Sequence, residues 1–146
     1  LDVTGYNYAW GRYRADARRY PDRVMLGTES LAGDLPRIWP LVESIPGLIG
    51  DFVWTGWDYL GEVGLGSWVY DAGRRRALLA KEFPHLVAGC GALDITGQPG
   101  APVALQQAVW GLQDAPAIMV RPLDVSGATV QKTIWRSTDA IPSWSW

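Results

Sequence analysis

The acid Glu29 follows a short apolar run, in the stretch R-V-M-L-G-T-E-S that spans residues 23–30. Val24, Met25 and Leu26 are typical of a strand that is buried on both faces. A carboxylate directly after such a strand is costly unless it reaches a partner, a cleft or solvent. In parallel α/β folds the carboxyl ends of the strands display the reactive groups, so Glu29 is the first candidate for chemistry. The same pattern also fits a structural acid that caps the next helix or pairs with an arginine.

Two other apolar runs end in polar and aromatic residues. Asn7 and Tyr8 end the first run, while Trp54 and Asp58 follow the third. Parallel strands would bring these side chains and Glu29 to one face. A carboxylate, a phenol, an amide and an indole suit a sugar ring, because the carboxylate can attack or stabilise an anomeric carbon. The tyrosine can orient that carboxylate, the amide can hold a ring hydroxyl, and the indole can stack on the apolar C–H face of the ring.

Strands and helices alternate along most of the chain. The predicted elements are strands over 2–8, 23–27 and 49–54, and helices over 10–20, 34–46, 74–83 and 102–110. Pro21 ends the first helix, and Pro40 predicts either a kink in the second helix or a later start. Strand, helix and strand at this spacing form a right-handed parallel βαβ unit. Residues 63–73 are expected to form a loop over a site, and residues 117–120 and 129–135 form short β-like runs.

Composition excludes several classes of function. The chain has 146 residues, of which 48% are hydrophobic, and 13 basic and 15 acidic side chains give a net charge of −2. These values indicate a folded protein without the basic surface of a nucleic-acid-binding protein. One cysteine, Cys90, and one histidine, His85, exclude an intrachain disulfide and a zinc site built from cysteines or several histidines, so we predict no metal and no cofactor.

The chain contains no run of about 20 apolar residues, so no membrane partner is predicted. Its start is not a signal peptide, and the lack of an initiator methionine suggests a piece of a longer protein. The compartment stays unknown, although a single cysteine is compatible with the cytoplasm.

Three motifs carry a resemblance to a known family. In order, D-V-T-G-Y-N-Y, P-D-R-V-M-L-G-T-E-S and G-D-F-V-W-T-G-W-D-Y-L-G-E resemble the final third of the catalytic barrel of glycoside hydrolase family 2. That family contains the β-galactosidases, β-glucuronidases and β-mannosidases. The later G-C-G-A-L-D-I-T-G and the proline-led helix through A-V-W-G resemble the last barrel loop and helix. The resemblance covers residues 1–115.

The resemblance implies an α/β fold, namely a partial (β/α)8 TIM barrel holding the last three β/α units, strands six to eight. Residues 1–115 would be the barrel part, and residues 116–146 a short β-like tail or linker toward a following domain. Glu29 takes the position of the catalytic nucleophile, and Tyr8 that of the tyrosine that contacts it. Asn7 and Trp54 match substrate-binding positions, and we place Asp58 with them as a supporting residue.

The resemblance also implies a retaining β-glycosidase that hydrolyses terminal β-galactosides. The Asn-x-Lys-Gly motif of glucuronidases has no counterpart after Trp54, and W-T-G-W-D-Y-L-G-E is most similar to the β-galactosidase branch. Such an enzyme needs a second carboxyl group about 5–5.5 Å from the nucleophile. In the family this acid/base follows an asparagine upstream of Leu1, and the chain contains no Asn-Glu pair.

We therefore expect the chain alone to be inactive and to self-associate through unpaired strand edges. Its expected partners are a β-galactoside or related oligosaccharide and the rest of the parent barrel. Two alternatives stay open. One is a non-catalytic carbohydrate-binding module that uses its tryptophans as platforms. The other is a purely structural interpretation in which the tryptophans are core and Glu29 is a capping residue.

Overall fold

The computed structural model describes residues 1–60, 69–70, 86–120 and 130–131, the two short pairs by their backbone alone. The chain divides into two compact units, Leu1–Trp54 and Thr55–Trp146, and each is described by itself. The predicted helix over 74–83 lies outside the described residues. So do most of the predicted loop over 63–73 and most of the β-like run over 129–135.

The first unit is a three-stranded parallel sheet with two helices. Its strands are β1 (Thr4–Asn7), β2 (Met25–Ser30) and β3 (Leu48–Val53), and its helices are α1 (Tyr13–Arg19) and α2 (Leu35–Ser44). Short 3₁₀ turns precede the helices, at Trp10–Arg12 and Ala32–Asp34. The strand order is β1-β2-β3, and both pairs are parallel. The predicted α/β class with parallel strands is therefore confirmed for this unit.

The helices cover one face of the sheet and form its core. The buried cluster comprises Tyr6, Tyr13, Met25, Ile38, Leu41, Ile45 and Leu48. The ring of Tyr13 in α1 meets that of Tyr6 in β1 edge to face, with 5.3 Å between ring centroids. The opposite face carries the exposed side chains of Thr28, Ile49 and Phe52. We call these two surfaces the covered face and the open face.

Helix α2 starts earlier than one of the predicted alternatives. It begins at Leu35, so the expectation of a helix that starts near Pro40 is wrong, and Pro40 lies inside the helix. Asp34 takes the N-terminal cap position without a side-chain bond to the helix backbone. Its carboxylate instead accepts a hydrogen bond from Arg37, at 3.3 Å.

The second unit is less regular. Helix α3 (Ala101–Val109) has Pro102 in its first turn, as predicted, and Gly111 follows it at a φ of 65° that suits a helix end. Two short antiparallel strands, β4 (Val69–Tyr70) and β5 (Val130–Gln131), pair with each other. Within residues 117–120 only Val120 takes part in β pairing. The proposed boundary between barrel and tail at residues 115 and 116 stays a prediction.

Among the described residues, no helix has both the length and the apolar character that crossing a bilayer requires.

Gly27 is the position in β2 where a side chain has no room. It lies opposite Asp51 in the β2–β3 register, and a Cβ at this site would overlap the Asp51 carboxylate. We expect Gly27→Ala to lower the free energy of unfolding by about 1–3 kcal/mol, because overpacking forces the strands apart. Urea denaturation followed by circular dichroism measures this change.

Gly11 supplies the matched control, because a Cβ there would meet nothing within 4 Å. Gly11→Ala should change the free energy of unfolding by no more than about 0.5 kcal/mol. Equal denaturation midpoints for the two variants would contradict the predicted constraint at Gly27.

Candidate active site

A bulge in β2 sets the direction of Glu29. Tyr6 of β1 lies opposite Gly27, but the next residue, Asn7, lies opposite Glu29. The register against β3 also shifts, between Gly27 and Ser30. Strand β2 therefore holds one residue more than either neighbour in this interval, which is the definition of a β-bulge.

The bulge changes which face receives each side chain. In a regular strand, residues 27 and 30 would lie on opposite faces. Gly27 and Ser30 are instead both buried, and the Ser30 hydroxyl bonds to Asp51 on the covered face. Thr28 and Glu29, the two residues between them, are thereby left on the open face. Thr28 is exposed and Glu29 is half-buried.

Strand β2 also extends further than predicted. The sequence predicted a strand that ends at residue 27, whereas pairing continues through Ser30. The carbonyl of Glu29 accepts a hydrogen bond from the N–H of Tyr8 at 2.7 Å, and the carbonyl of Ser30 accepts one from the N–H of Trp54 at 2.9 Å. Glu29 therefore lies inside the carboxyl-terminal part of the strand, with its backbone held from the side of β1.

Tyr8 follows β1 in a backbone conformation that residues other than glycine seldom adopt. Its φ is 52°, and it is the only residue other than glycine with a positive φ in the described part of the chain. Such a residue costs on the order of 1–3 kcal/mol, and such residues cluster at functional sites. The hydrogen bond from its N–H to Glu29 places the two backbones side by side. The Tyr8 side chain is 39% exposed.

Asn7 is oriented by a neighbour on β2. The Thr28 hydroxyl donates to the Asn7 side-chain oxygen at 2.5 Å. Gly5 makes room for this contact, because a Cβ there would lie 2.9 Å from the Thr28 methyl group. With its oxygen engaged, the Asn7 amide nitrogen can donate to a hydroxyl of a bound ligand.

The structure therefore places four of the predicted residues at one end of one sheet. Asn7 and Tyr8 follow β1, Glu29 lies near the end of β2, and Trp54 directly follows β3. Trp54 is half-buried, and its backbone bonds to the residue after Glu29. This end can present a carboxylate, a phenol, an amide and an indole to a ligand, and the roles of these residues stay predictions.

Asp58, the fifth predicted residue, belongs to the second unit and is 7% exposed. Its two carboxylate oxygens accept hydrogen bonds from the N–H of Gly89 at 2.9 and 3.0 Å. One of them also accepts a bond from the N–H of Cys90 at 3.2 Å. These contacts hold the backbone of residues 89–90, so the geometry favours a supporting role. A sugar contact of Asp58 stays a prediction.

Trp57 lies on the surface of the second unit and is 56% exposed, so it is not a core indole. Its ring packs against Gly97, whose φ is 88° and whose Cβ would come within 3.3 Å of the ring. The turn beneath is held by Asp94, which accepts hydrogen bonds from Thr96 and from the N–H of Gln98. The bonds from Thr96 and Gln98 lower the pKa of Asp94.

Sequence reasoning missed the half-buried carboxylate of Asp51. Its Oδ2 accepts hydrogen bonds from the hydroxyls of Tyr13 at 2.9 Å and Ser30 at 3.0 Å. Its Oδ1 is buried, and no described residue bonds to it. Burial raises the pKa of Asp51 despite the two donors, and burial together with Asp51 raises the pKa of Tyr13. An acid within the apolar run of β3 was the available signal, equivalent to the one that singled out Glu29.

In the described part of the chain, no three His, Cys, Asp or Glu side chains form a group that could hold a metal ion.

The chain is similar over its full length to part of a glycosyl hydrolase family 2 member from Bacteroides cellulosilyticus, with 33% sequence identity and a TM-score of 0.72. A second family 2 member from that species matches all of this chain at 27% identity and a TM-score of 0.65. The chain spans 19% of the first protein and 16% of the second. No protein-family model and no curated protein matches it. The similarity supports a fragment that is like part of a family 2 glycosyl hydrolase.

Burial raises the pKa of the Cys90 thiol to about 11, and the charge of Asp58 adds to this effect. At pH 8 about one thiol in a thousand is then ionised. We expect Asp58→Asn to accelerate alkylation of Cys90 by iodoacetamide about three- to tenfold, because the change removes a negative charge and weakens the bonds to the backbone of residues 89–90. Mass spectrometry of the alkylated protein measures the rate.

The control is Asp34→Asn, which removes a carboxylate from the first unit and should leave the alkylation rate unchanged. The same rate in Asp58→Asn as in the unmodified protein would show that Asp58 does not protect the thiol.

Proposed function

We propose that this chain is the nucleophile-bearing part of the catalytic barrel of a retaining β-glycosidase, of the β-galactosidase branch of glycoside hydrolase family 2. The parent protein would hydrolyse terminal β-galactosides or related oligosaccharides. One observation carries the proposal. The bulge in β2 leaves Glu29 on the open face at the carboxyl end of the central strand, between Tyr8 on one side and Trp54 on the other.

The proposed chemistry has two steps. In the first, a carboxylate oxygen of Glu29 attacks the anomeric carbon, and the aglycone oxygen leaves with the bonding electron pair and takes a proton from the acid/base group. In the second, water attacks the anomeric carbon, gives a proton to the same group, and releases the Glu29 carboxylate. The acid/base group would come from the parent protein upstream of Leu1.

The surrounding side chains have separate roles in this proposal. The Tyr8 hydroxyl orients the carboxylate of Glu29, and the strained backbone of Tyr8 keeps the two residues adjacent. The Asn7 amide donates to a ring hydroxyl, because Thr28 already occupies its oxygen. Trp54 offers its indole to the apolar face of the sugar.

The parallel β/α arrangement of the first unit supports a barrel segment. In a (β/α)8 barrel the helices cover one side of the strands and the reactive groups lie at their carboxyl ends. The proposed strands six, seven and eight are β1, β2 and β3. Carbohydrate-binding modules are mostly antiparallel sandwiches, so the architecture of this unit favours the enzyme over that alternative.

Labelling of the parent protein tests the assignment of the nucleophile. A 2-deoxy-2-fluoro-β-galactoside with a dinitrophenolate leaving group forms the glycosyl-enzyme ester, which then hydrolyses slowly. We expect peptide mass spectrometry to locate the sugar on Glu29. Glu29→Gln should lower kcat by at least about 10³-fold, because loss of a nucleophile removes the covalent route.

Sugar binding is the control for that variant. Glu29→Gln should still bind galactose, since the amide retains the size of the side chain. A label on another acid, or near-normal turnover by Glu29→Gln, would contradict the proposal and favour a structural role for Glu29.

The isolated chain should self-associate. In the described part of the chain, β1 and β3 each have one edge without a strand partner. Ile49 and Phe52 on β3 are 61% and 63% exposed. Such edges and apolar surface lead to association unless other strands cover them, which the rest of the parent barrel would do.

Light scattering at micromolar concentration measures this association, and the expected mass is a multiple of the 16.1 kDa chain. A monodisperse monomer would show that the unit does not need the missing strands. The double variant Ile49→Thr with Phe52→Thr should shift the distribution toward smaller species, since it reduces the exposed apolar area.

A further inference from the structure

Asp51 lies in β3, next to the strand that carries Glu29, and takes no part in the proposed chemistry. Its side chain is on the covered face, and Glu29 is on the open face, so the two carboxyl groups lie on opposite sides of the sheet. Asp51 is nevertheless bonded to Ser30, the residue directly after Glu29 in β2. Asp51 is half-buried, but its Oδ1 atom is buried and has no partner among the described residues, and such a group is costly and calls for an explanation.

The Asp51 carboxylate holds β2 at both ends of its bulge. On one side it fills the space beside Gly27, where a Cβ would overlap it. On the other side it accepts the hydrogen bond from the Ser30 hydroxyl at 3.0 Å. Gly27 and Ser30 enclose the two residues that the bulge turns to the open face, Thr28 and Glu29.

A third contact connects this point to the helical layer. The Tyr13 hydroxyl donates to the same oxygen of Asp51 at 2.9 Å. Tyr13 is fully buried in α1, and Ser30 is only 1% exposed. The carboxylate therefore has a fixed position relative to α1, and Ser30 has a fixed position relative to the carboxylate.

From this arrangement we propose that Asp51 is a positioning residue for Glu29, acting through the Ser30 hydroxyl to keep the bulge of β2 in register. The inference rests on the proposed function, because it concerns the nucleophile of that reaction. Loss of the bond from Ser30 lets the carboxyl end of β2 shift, and Glu29 then meets the anomeric carbon less well. A displacement of about 1 Å in a reacting group can cost on the order of 10²-fold in rate.

The test is the rate constant for trapping of Glu29 in the parent protein by the dinitrophenyl 2-deoxy-2-fluoro-β-galactoside. An activated leaving group needs little help from the acid/base, so the rate constant reports the attack by the nucleophile itself. We expect Ser30→Ala to lower this rate constant about 10- to 100-fold, with the dissociation constant for galactose within about twofold of that of the unmodified protein.

Two comparisons separate positioning from stability. Ser44→Ala removes a hydroxyl that bonds to the Pro40 carbonyl in α2, and it should leave the trapping rate constant unchanged. Tyr13→Phe removes the other donor to Asp51, a hydroxyl that also lies beside Gly27, and leaves the Ser30 hydroxyl in place. It should lower the melting temperature while changing the trapping rate constant by less than about threefold, since the bond from Ser30 remains. If the network were merely structural, Ser30→Ala and Tyr13→Phe would change the melting temperature and the trapping rate constant in the same way.

The outcomes distinguish the two proposals. A label on Glu29 with equal trapping rate constants in Ser30→Ala and Ser44→Ala would overturn the positioning role and leave the proposed function intact. A label on a different acid in the unmodified protein would overturn the proposed function, and the positioning role with it. The readout is a rate constant and not an amount of product. It is therefore measured on the folded fraction of a variant, and a partly folded variant still tests the positioning role.

Discussion

The hydrogen bonds to one oxygen, Oδ2 of Asp51, join three elements of the first unit, α1, β2 and β3. The oxygen accepts from Tyr13 in the helical layer and from Ser30 in the central strand, and its own side chain comes from β3. The missing side chain of Gly27 is what allows the carboxylate to come this close. The fit between β2 and β3 therefore depends on an acid and a glycine at matching positions, and only then on apolar packing.

This constraint explains why the two faces of the sheet differ. On the covered face, Met25 of β2 and Leu48 of β3 pair in the register and pack under the helices. On the open face, Ile49 and Phe52 stay exposed, and Thr28 and Glu29 are both directed there by the bulge. The covered face contributes the stability of the unit through burial of apolar area. The open face carries the side chains that the proposed chemistry uses.

The sequence could predict the alternation of elements because local rules decide it. Apolar runs mark the strands, Pro21 ends the first helix, and Pro102 and Gly111 bracket the last one. The bulge could not be predicted, because a register shift results from contacts across strands that single-chain patterns do not contain.

The same reason accounts for the errors of detail. Strand β2 was predicted to end at residue 27, since Thr28 and Glu29 are polar, yet Glu29 is still paired with β1 and Ser30 with β3. The position of Glu29, Tyr8, Asn7 and Trp54 at one end of the sheet followed from the order of strand ends alone. The burial of Asp58 could not be predicted in this way. Its partners, Gly89 and Cys90, lie about thirty residues away, and they bond to it through backbone N–H groups, which leave no signal in a sequence.

Three irregular features of the first unit lie near the end of the sheet that holds Glu29. Tyr8 has a positive φ, β2 has its bulge between Gly27 and Ser30, and Asp51 keeps one buried oxygen without a described partner. Each of these costs stability, and none is needed merely to stack two helices on three strands. A chain selected for stability alone would have a regular β2 and an apolar residue in place of Asp51. Irregular features close to one half-buried carboxylate are what a site that must hold that carboxylate in a set direction would show.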